Sequence, residues 1–286
     1  MKTEGKNYRI VVDTGCDLEA KEEERLKVLS VPFKIDIEDR TFVDDDNLDI
    51  KEFISAMMAT KNPIRTACPS PMEFEEVLNQ ALDADGIFIF TISKNLSGSY
   101  NSANVAMEQF KEKNPHMPIC LIDTESASAG QTNVTYKVKE LMEKGLDFEG
   151  IKKEIEGFIQ TMSTFFILES LENLMKNGRI RKSAGLIVNA LNIKPIMRDN
   201  GSGDIELFQI NRGFKKSIRK LADYIIEEGK KREIKMLTIS HADALEKAND
   251  LKERILSEIS IETIRIVHTK GLASGYADVG GIVVAF

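Results

Sequence analysis

Between residues 8 and 145 the sequence repeats one unit: a short apolar run, a loop of small polar residues, and a helix-forming segment. YRIVV runs into DTGCD and a charged helical stretch at 18–29, and VPFKIDI follows as a second strand. GIFIF precedes the hydroxyl-rich TISKNLSGS and a helix at 101–110, and PICLID precedes TESASAG and a helix that ends at Gly145. Apolar runs this short, rich in β-branched and aromatic residues, read as strands buried on both faces. Strand, loop and helix in succession predict a parallel sheet covered by helices, with the loops gathered along one edge. Asp13, Thr66, Ser97 and Ser126 are therefore expected to converge.

Ser93, Ser97, Gly98 and Ser99 fall where a strand ends and a helix begins. Backbone N–H groups are free there and the helix dipole favours an anion. TACPSP adds a second hydroxyl-bearing loop, in which Ser70 is a helix N-cap, Pro71 the first helical residue and Glu73 the capping-box partner. None of these loops contains GxxxxGK[ST] or GxGxxG, and Lys94 is the one basic residue of the opening loop, which is thin support for a nucleotide or sugar-phosphate enzyme.

A formal charge of −7 with scattered basic residues argues against nucleic acid as a partner. Three distant cysteines without CxxC spacing suit a reducing compartment, and three histidines without ligand spacing predict no metal site. The acidic run Asp44 to Asp46 reads as a solvated turn before a helix beginning near Ile50. No apolar stretch approaches the ~20 residues of a membrane span and no secretory leader is evident, so stable membrane insertion is not expected and the cytoplasm is.

Near residue 160 the texture changes. We expect an N-terminal α/β domain over residues 1–160, a three-layer domain with a parallel sheet. Residues 161–286 are expected to form an α+β domain with a mostly antiparallel sheet, from TFFIL, IELFQI, a helix at 214–231, IKMLTISH, a helix at 242–259, ETIRIVH and GIVVAF. Residues 184–191 are apolar on nearly every side, as either ordinary core or the wall of a ligand channel would be.

Taken together, DTGCDL, TACPSP, ISKNLSGSYNSA, IDTESASAG, LESLENLMKNGRI, LNIKPIM and NRGFKKSI, in this order along nearly the whole chain, resemble the DegV family of fatty-acid-binding proteins. The resemblance implies two domains with a long-chain fatty acid between them, its carboxylate near the surface. It also implies a carrier without catalysis or cofactor, which presents the carboxylate to a fatty acid kinase for conversion to an acyl phosphate. The family's carboxylate-binding hydroxyls fall on Thr66 and Ser97, with the Gly98 amide beside them; its late histidine falls on His268 and its GRI arginine on Arg179, a head-group or partner contact together with Ser93. Two stretches depart from the pattern: the family's Thr-Ser-Gln-Pro-Ser is Thr66-Ala67-Cys68-Pro69-Ser70 here, and TKGLASGYADVGG replaces Gly-Pro-Gly after the histidine.

For such a ligand the tail supplies affinity and the head orientation. Each buried methylene contributes about 0.8 kcal/mol, so some fourteen give roughly 11 kcal/mol before ordering and association costs. A charge-assisted hydrogen bond adds ~1.5 to 3 kcal/mol, offset by desolvation. The alternative from another class is a serine hydrolase acting on acyl esters, with Ser97 or Ser99 as nucleophile, His268 as base and Asp13 or Asp123 as the orienting acid, although GxSxG is absent. Cys16 and Cys68 read as small fillers of tight loops, and His116 and His241 as loop or strand-end residues.

Overall fold

The computed structural model describes residues 6–180 and 192–286. Four strands form the first sheet: β1 (Tyr8–Asp13), β2 (Val28–Val31), β6 (Gly86–Thr91) and β7 (Ile119–Asp123), in the order β2-β1-β6-β7, all parallel. Alternation along these strands divides their side chains between two cores. Ile10, Val12, Phe88, Phe90 and Ile122 face α5 (Ala129–Glu143) and α6 (Phe148–Thr161). Val11, Ile87, Ile89 and Ile119 face α3 (Pro71–Leu78) and α4 (Ser99–Lys113). This is the expected three-layer arrangement, because strands apolar on both faces need a cover on each.

Local signals set several boundaries. The capping box at Ser70 and Glu73 is formed, with Pro71 opening α3. The charged helix after β1 is shorter than expected: α1 spans Ala20–Leu26, and Lys27 takes a left-handed conformation that lets VLSV enter the sheet as β2. VPFKIDI is accordingly not the second strand of the parallel sheet. Its KIDI portion is β3 (Lys34–Ile37), the middle strand of a separate antiparallel sheet with β4 (Arg40–Val43) and β5 (Arg65–Ala67). Thr66 thus belongs to that small sheet and not to the edge of the parallel one.

The second large sheet begins with β8 (Thr164–Ile167). It continues through β9 (Ile196–Asp199), β10 (Ile205–Gln209), β11 (Met236–His241), β12 (Thr263–His268) and β13 (Ile282–Ala285), in the order β10-β9-β8-β13-β11-β12. Every pairing is antiparallel except β11 with β12. One face packs on the helices Phe214–Lys231 and Leu245–Leu256 through Ile218, Leu221, Leu251 and Ile255. The other face, with Phe166, Met197 and Val283, looks toward α5 and the short helices α7 (Glu172–Lys176) and Gly271–Ala277. That last helix lies within TKGLASGYADVGG, where no helix is expected from two glycines and a serine. Residues 184–191 lie outside the described residues.

Helix α5 joins the two large sheets. Its residues from Ala129 to Tyr136 are all buried, including Gln131, Thr132, Asn133 and Thr135. Asn133 donates from Nδ2 to the Ala285 carbonyl at 3.0 Å and accepts from the Thr238 hydroxyl at 2.6 Å, so one amide fastens α5 to β13 and β11. Replacing Asn133 with alanine removes both bonds and orphans the buried Thr238 hydroxyl. We predict a loss of about 2–4 kcal/mol, read as a lower urea midpoint with the slope unchanged; a loss below about 0.5 kcal/mol contradicts this role.

Candidate functional site

The motif DTGCD turns sharply after β1, and its side chains gather the surrounding loops. Asp13 is fully buried, as is Asp17. The Asp13 carboxylate accepts from the Gly15 amide at 3.1 Å, the Ile92 amide at 3.1 and 3.2 Å, the Ser99 hydroxyl at 2.5 Å and Gln131 Nε2 at 2.9 Å. Burial raises its pKa, and the bonds from Ser99, Gln131, Ile92 and Gly15 pull the other way. Asp17 accepts from the Lys270 amide at 2.8 Å and from the Ser128 hydroxyl. Gly15 fits where no larger residue would: a Cβ there would lie 2.7 Å from Gln131 Oε1 and 3.0 Å from Asp13 Oδ1.

Above this anchored layer lies a mostly apolar cavity, with about 910 Å³ of free space counted out to its open mouth. Phe33, Leu96, Phe166, Leu168, Leu174 and Val283 supply apolar walls from both sides, and Gly15, Ser97 and Ser126 bring three of the small-residue loops to it. Thr66 reaches the same cavity from β5, and Arg179 from beyond α7. Of the residues expected to converge, Thr66, Ser97 and Ser126 do so at the lining; Asp13 sits beneath, bonded to the first residue of α4.

The remaining expected residues are placed as follows. Ser97 Oγ accepts from the Ser99 amide at 3.2 Å, which leaves its own proton to donate. Gly98 is the N-cap of α4 and adjoins Ser97, and its amide has no hydrogen-bond partner among the described residues. Ser93 is buried and donates to the Gly203 carbonyl at 2.8 Å, holding the turn between β9 and β10. Gly203 has a positive φ of +84°, and a Cβ there would fall 2.2 Å from Ser93 Oγ. Arg179 donates from Nε to the Leu96 carbonyl at 3.0 Å and from Nη1 to Asn177, tying the opening loop to the α7 segment.

Like Ser93 and Gly98, His268 is not among the lining residues; its Nδ1 is 2.8 Å from the Thr269 carbonyl and its ring stands edge-on to His241, centroids 5.2 Å apart. Burial and the neighbouring His268 lower the pKa of His241. The hydrolase triad is not assembled. Ser99 is bonded to Asp13, and Asp123 accepts from the amides of Lys94 and Glu125 at 3.3 and 3.0 Å.

Two residues at the site were not foreseen. The Tyr276 hydroxyl lies 2.9 Å from Thr66 Oγ1, and both line the cavity. Asp44, expected in a solvated turn, is buried at 2% exposure. Its carboxylate accepts from the amides of Gly271 and Leu272 at 2.7 and 2.8 Å, satisfying the first turn of the helix Gly271–Ala277. That helix places Leu272, Ala273, Tyr276 and Ala277 against the cavity. Only Asp45 and Asp46 of the acidic run are exposed. The signal for Asp44 is a partner more than 220 residues away, which no local pattern carries.

A sequence model described as "Uncharacterised protein, DegV family COG1307" matches residues 7–285. The chain belongs to the DegV family. A DegV domain-containing protein of Streptococcus pyogenes serotype M1 is 34% identical over 281 residues, covering 98% of this chain and 99% of the relative. A DegV family protein of Ruminococcus gnavus, solved with vaccenic acid, superposes with a TM-score of 0.91 at 33% identity, covering 98% of this chain and 99% of that one. The Streptococcus pneumoniae Fatty Acid Kinase (Fak) B3 protein, loaded with linoleic acid, gives 0.90 at 32% identity with the same coverage. Among the described residues no helix is long and apolar enough to cross a membrane, and no group of three or more His, Cys, Asp or Glu could hold a metal ion.

Burial raises the Asp44 carboxyl to about 6, against the Leu272 and Gly271 amides and the charge of Lys270, which lower it. The folded protein therefore holds this proton more tightly than the unfolded chain, where the carboxyl titrates near 3.8. Stability linked to Asp44 is fully present below that unfolded value and is lost as pH rises through 6. We predict that the stability advantage of wild type over Asp44→Ala shrinks between about pH 4 and about pH 7, by on the order of 3 kcal/mol. Urea unfolding at a series of pH values checks this; an advantage that grows over that window contradicts it.

Proposed function

We propose that this chain binds a long-chain fatty acid in the cavity, with the carboxylate at Thr66, Ser97 and the Gly98 amide, and carries it without transforming it. The observation that supports this most is the pairing of a mostly apolar cavity with a few hydroxyls at its lining, one of them on Ser97 next to the Gly98 amide. Apolar walls favour a hydrocarbon chain at about 0.8 kcal/mol per methylene, and hydroxyls on fixed elements orient an anionic head. The fatty acids named in the two solved relatives are of the same class.

In this reading residues 1–160 and 161–286 act as two domains, the first carrying the carboxylate-binding loops and the second closing the tunnel. Arg179, tied to the opening loop at the site, flanks the head group or a docked partner. The partner we infer is a fatty acid kinase in the cytoplasm, which would move the γ-phosphoryl group of ATP onto a carboxylate oxygen and leave ADP and an acyl phosphate. Neutral hydroxyls leave that oxygen more nucleophilic than a bidentate arginine would, which suits such a transfer. His268 has no part in the site.

Removing either hydroxyl tests the assignment. Thr66→Ala and Ser97→Ala should each weaken oleate binding by roughly tenfold or more, as expected for one charge-assisted hydrogen bond, and slow acyl phosphate formation when a fatty acid kinase is supplied. If titration calorimetry and the coupled kinase assay both leave the two variants equal to wild type, the head-group assignment is wrong.

A further inference from the structure

We propose that Tyr276 completes the head-group site: its phenol and the Thr66 hydroxyl act as one neutral donor unit that, with Ser97, holds the ligand's carboxylate. The inference rests on the fatty-acid reading and adds to it a residue and an ionic character for the site.

The count of protons carries it. Thr66 Oγ1 and Tyr276 Oη are joined at 2.9 Å, and either can be the donor. Two hydroxyls sharing one hydrogen bond use one O–H and leave the other to donate, whichever way the bond runs. Ser97 Oγ already accepts from the Ser99 amide and keeps its own O–H. The cavity therefore offers two hydroxyl protons from these three residues, one for each oxygen of a carboxylate. Other hydroxyls of the described lining are engaged: Ser126 donates to the Ala127 carbonyl at 3.4 Å and pairs with the Thr164 hydroxyl at 2.7 Å, so both protons of that pair are used, and Ser128 donates to Asp17.

Rigid elements hold the pair. Thr66 is on β5, in register with Ile35 of β3. Tyr276 is on the helix Gly271–Ala277, fixed at its start by Asp44 and near its end by Asn173, whose Nδ2 donates to the Gly275 carbonyl at 2.9 Å. Groups held this way meet a ligand with little reorganisation.

Charges around the cavity favour the same placement. Glu125 after β7 and Asp199 and Asp204 at the β9–β10 turn carry the sign of the ligand and disfavour its carboxylate beside them, whereas Arg179 favours it. Arg179 lies on the Thr66 side: Asn177, which it contacts, donates to the Ile64 carbonyl at 3.0 Å, two residues before Thr66. Cys68 packs in the same apolar group as Tyr276. No imidazole lines the cavity among the described residues, so in this reading its head-group donors are hydroxyls.

Delipidated full-length protein titrated with oleate between about pH 5.5 and about pH 8.5 tests the inference, with thermal melting to confirm folding. Tyr276→Phe should weaken oleate binding by roughly threefold or more, because Thr66 keeps its own proton but loses the phenol that orients and polarises it, and His268→Ala should leave it unchanged. Tyr276→His should bind more tightly below about pH 6.5 than above it, a slope the wild type lacks, because an imidazolium now faces the carboxylate. That slope reads contact with the head group, which a purely structural tyrosine would not produce, and it carries the test if the phenylalanine variant does not fold. Undiminished binding by Tyr276→Phe, or a Tyr276→His profile parallel to wild type, overturns the inference while leaving the carrier reading intact. A wild type that takes up no oleate overturns the carrier reading itself.

Discussion

The fold turns on carboxylates buried where backbone amides have no other partner. An ionised carboxylate accepts hydrogen bonds through two oxygens, so one buried aspartate can satisfy several donors from distant parts of the chain. Asp13 does this for the turn after β1, the end of β6, the start of α4 and the buried face of α5. Asp17 extends the same hub to Ser128 and Lys270, and Asp44 fixes the first turn of the helix that carries Tyr276. Removing any of these acceptors would strand buried N–H or O–H groups, which costs more than the bond itself is worth.

This arrangement keeps these three carboxylates out of the cavity lining. The carboxylates bind inward to amides and hydroxyls, and the surface they leave above them is lined by Phe33, Leu96, Phe166 and Leu174 with a few neutral hydroxyls. An apolar chain gains from such walls in proportion to the area it loses to water, while the anionic head finds hydroxyl donors. The antiparallel face of the second sheet completes the enclosure, held to the first by the buried amide of Asn133.

Much of the fold was legible in the sequence because its signals are local. Strands apolar on both faces at Ile87 to Phe90, the capping box at Ser70 and Glu73, and the helix Phe214–Lys231 are each set by neighbours a few residues away. So were Thr66 and Ser97, as hydroxyls that reach one cavity, although Thr66 does so from strand β5 and not from a loop of the parallel sheet. What escaped was long-range. Asp44 looks like one of three surface aspartates until Gly271 and Leu272 are brought to it, and a helix of GLASGYA has poor propensity until that carboxylate caps it. Tyr276 escaped for the same reason, since it rides on that helix. The short arc at Lys27 hid the true second strand, and His268 carries the expected residue type on a strand end that faces His241 instead of the cavity.

The central claim is that the cavity holds one acyl chain. Mass spectrometry of the purified protein, native and then extracted with organic solvent, measures this most directly. The account predicts one long-chain fatty acid per chain in the native spectrum, released intact into the solvent. A protein of bare polypeptide mass that also acquires no such adduct after incubation with oleate would contradict it.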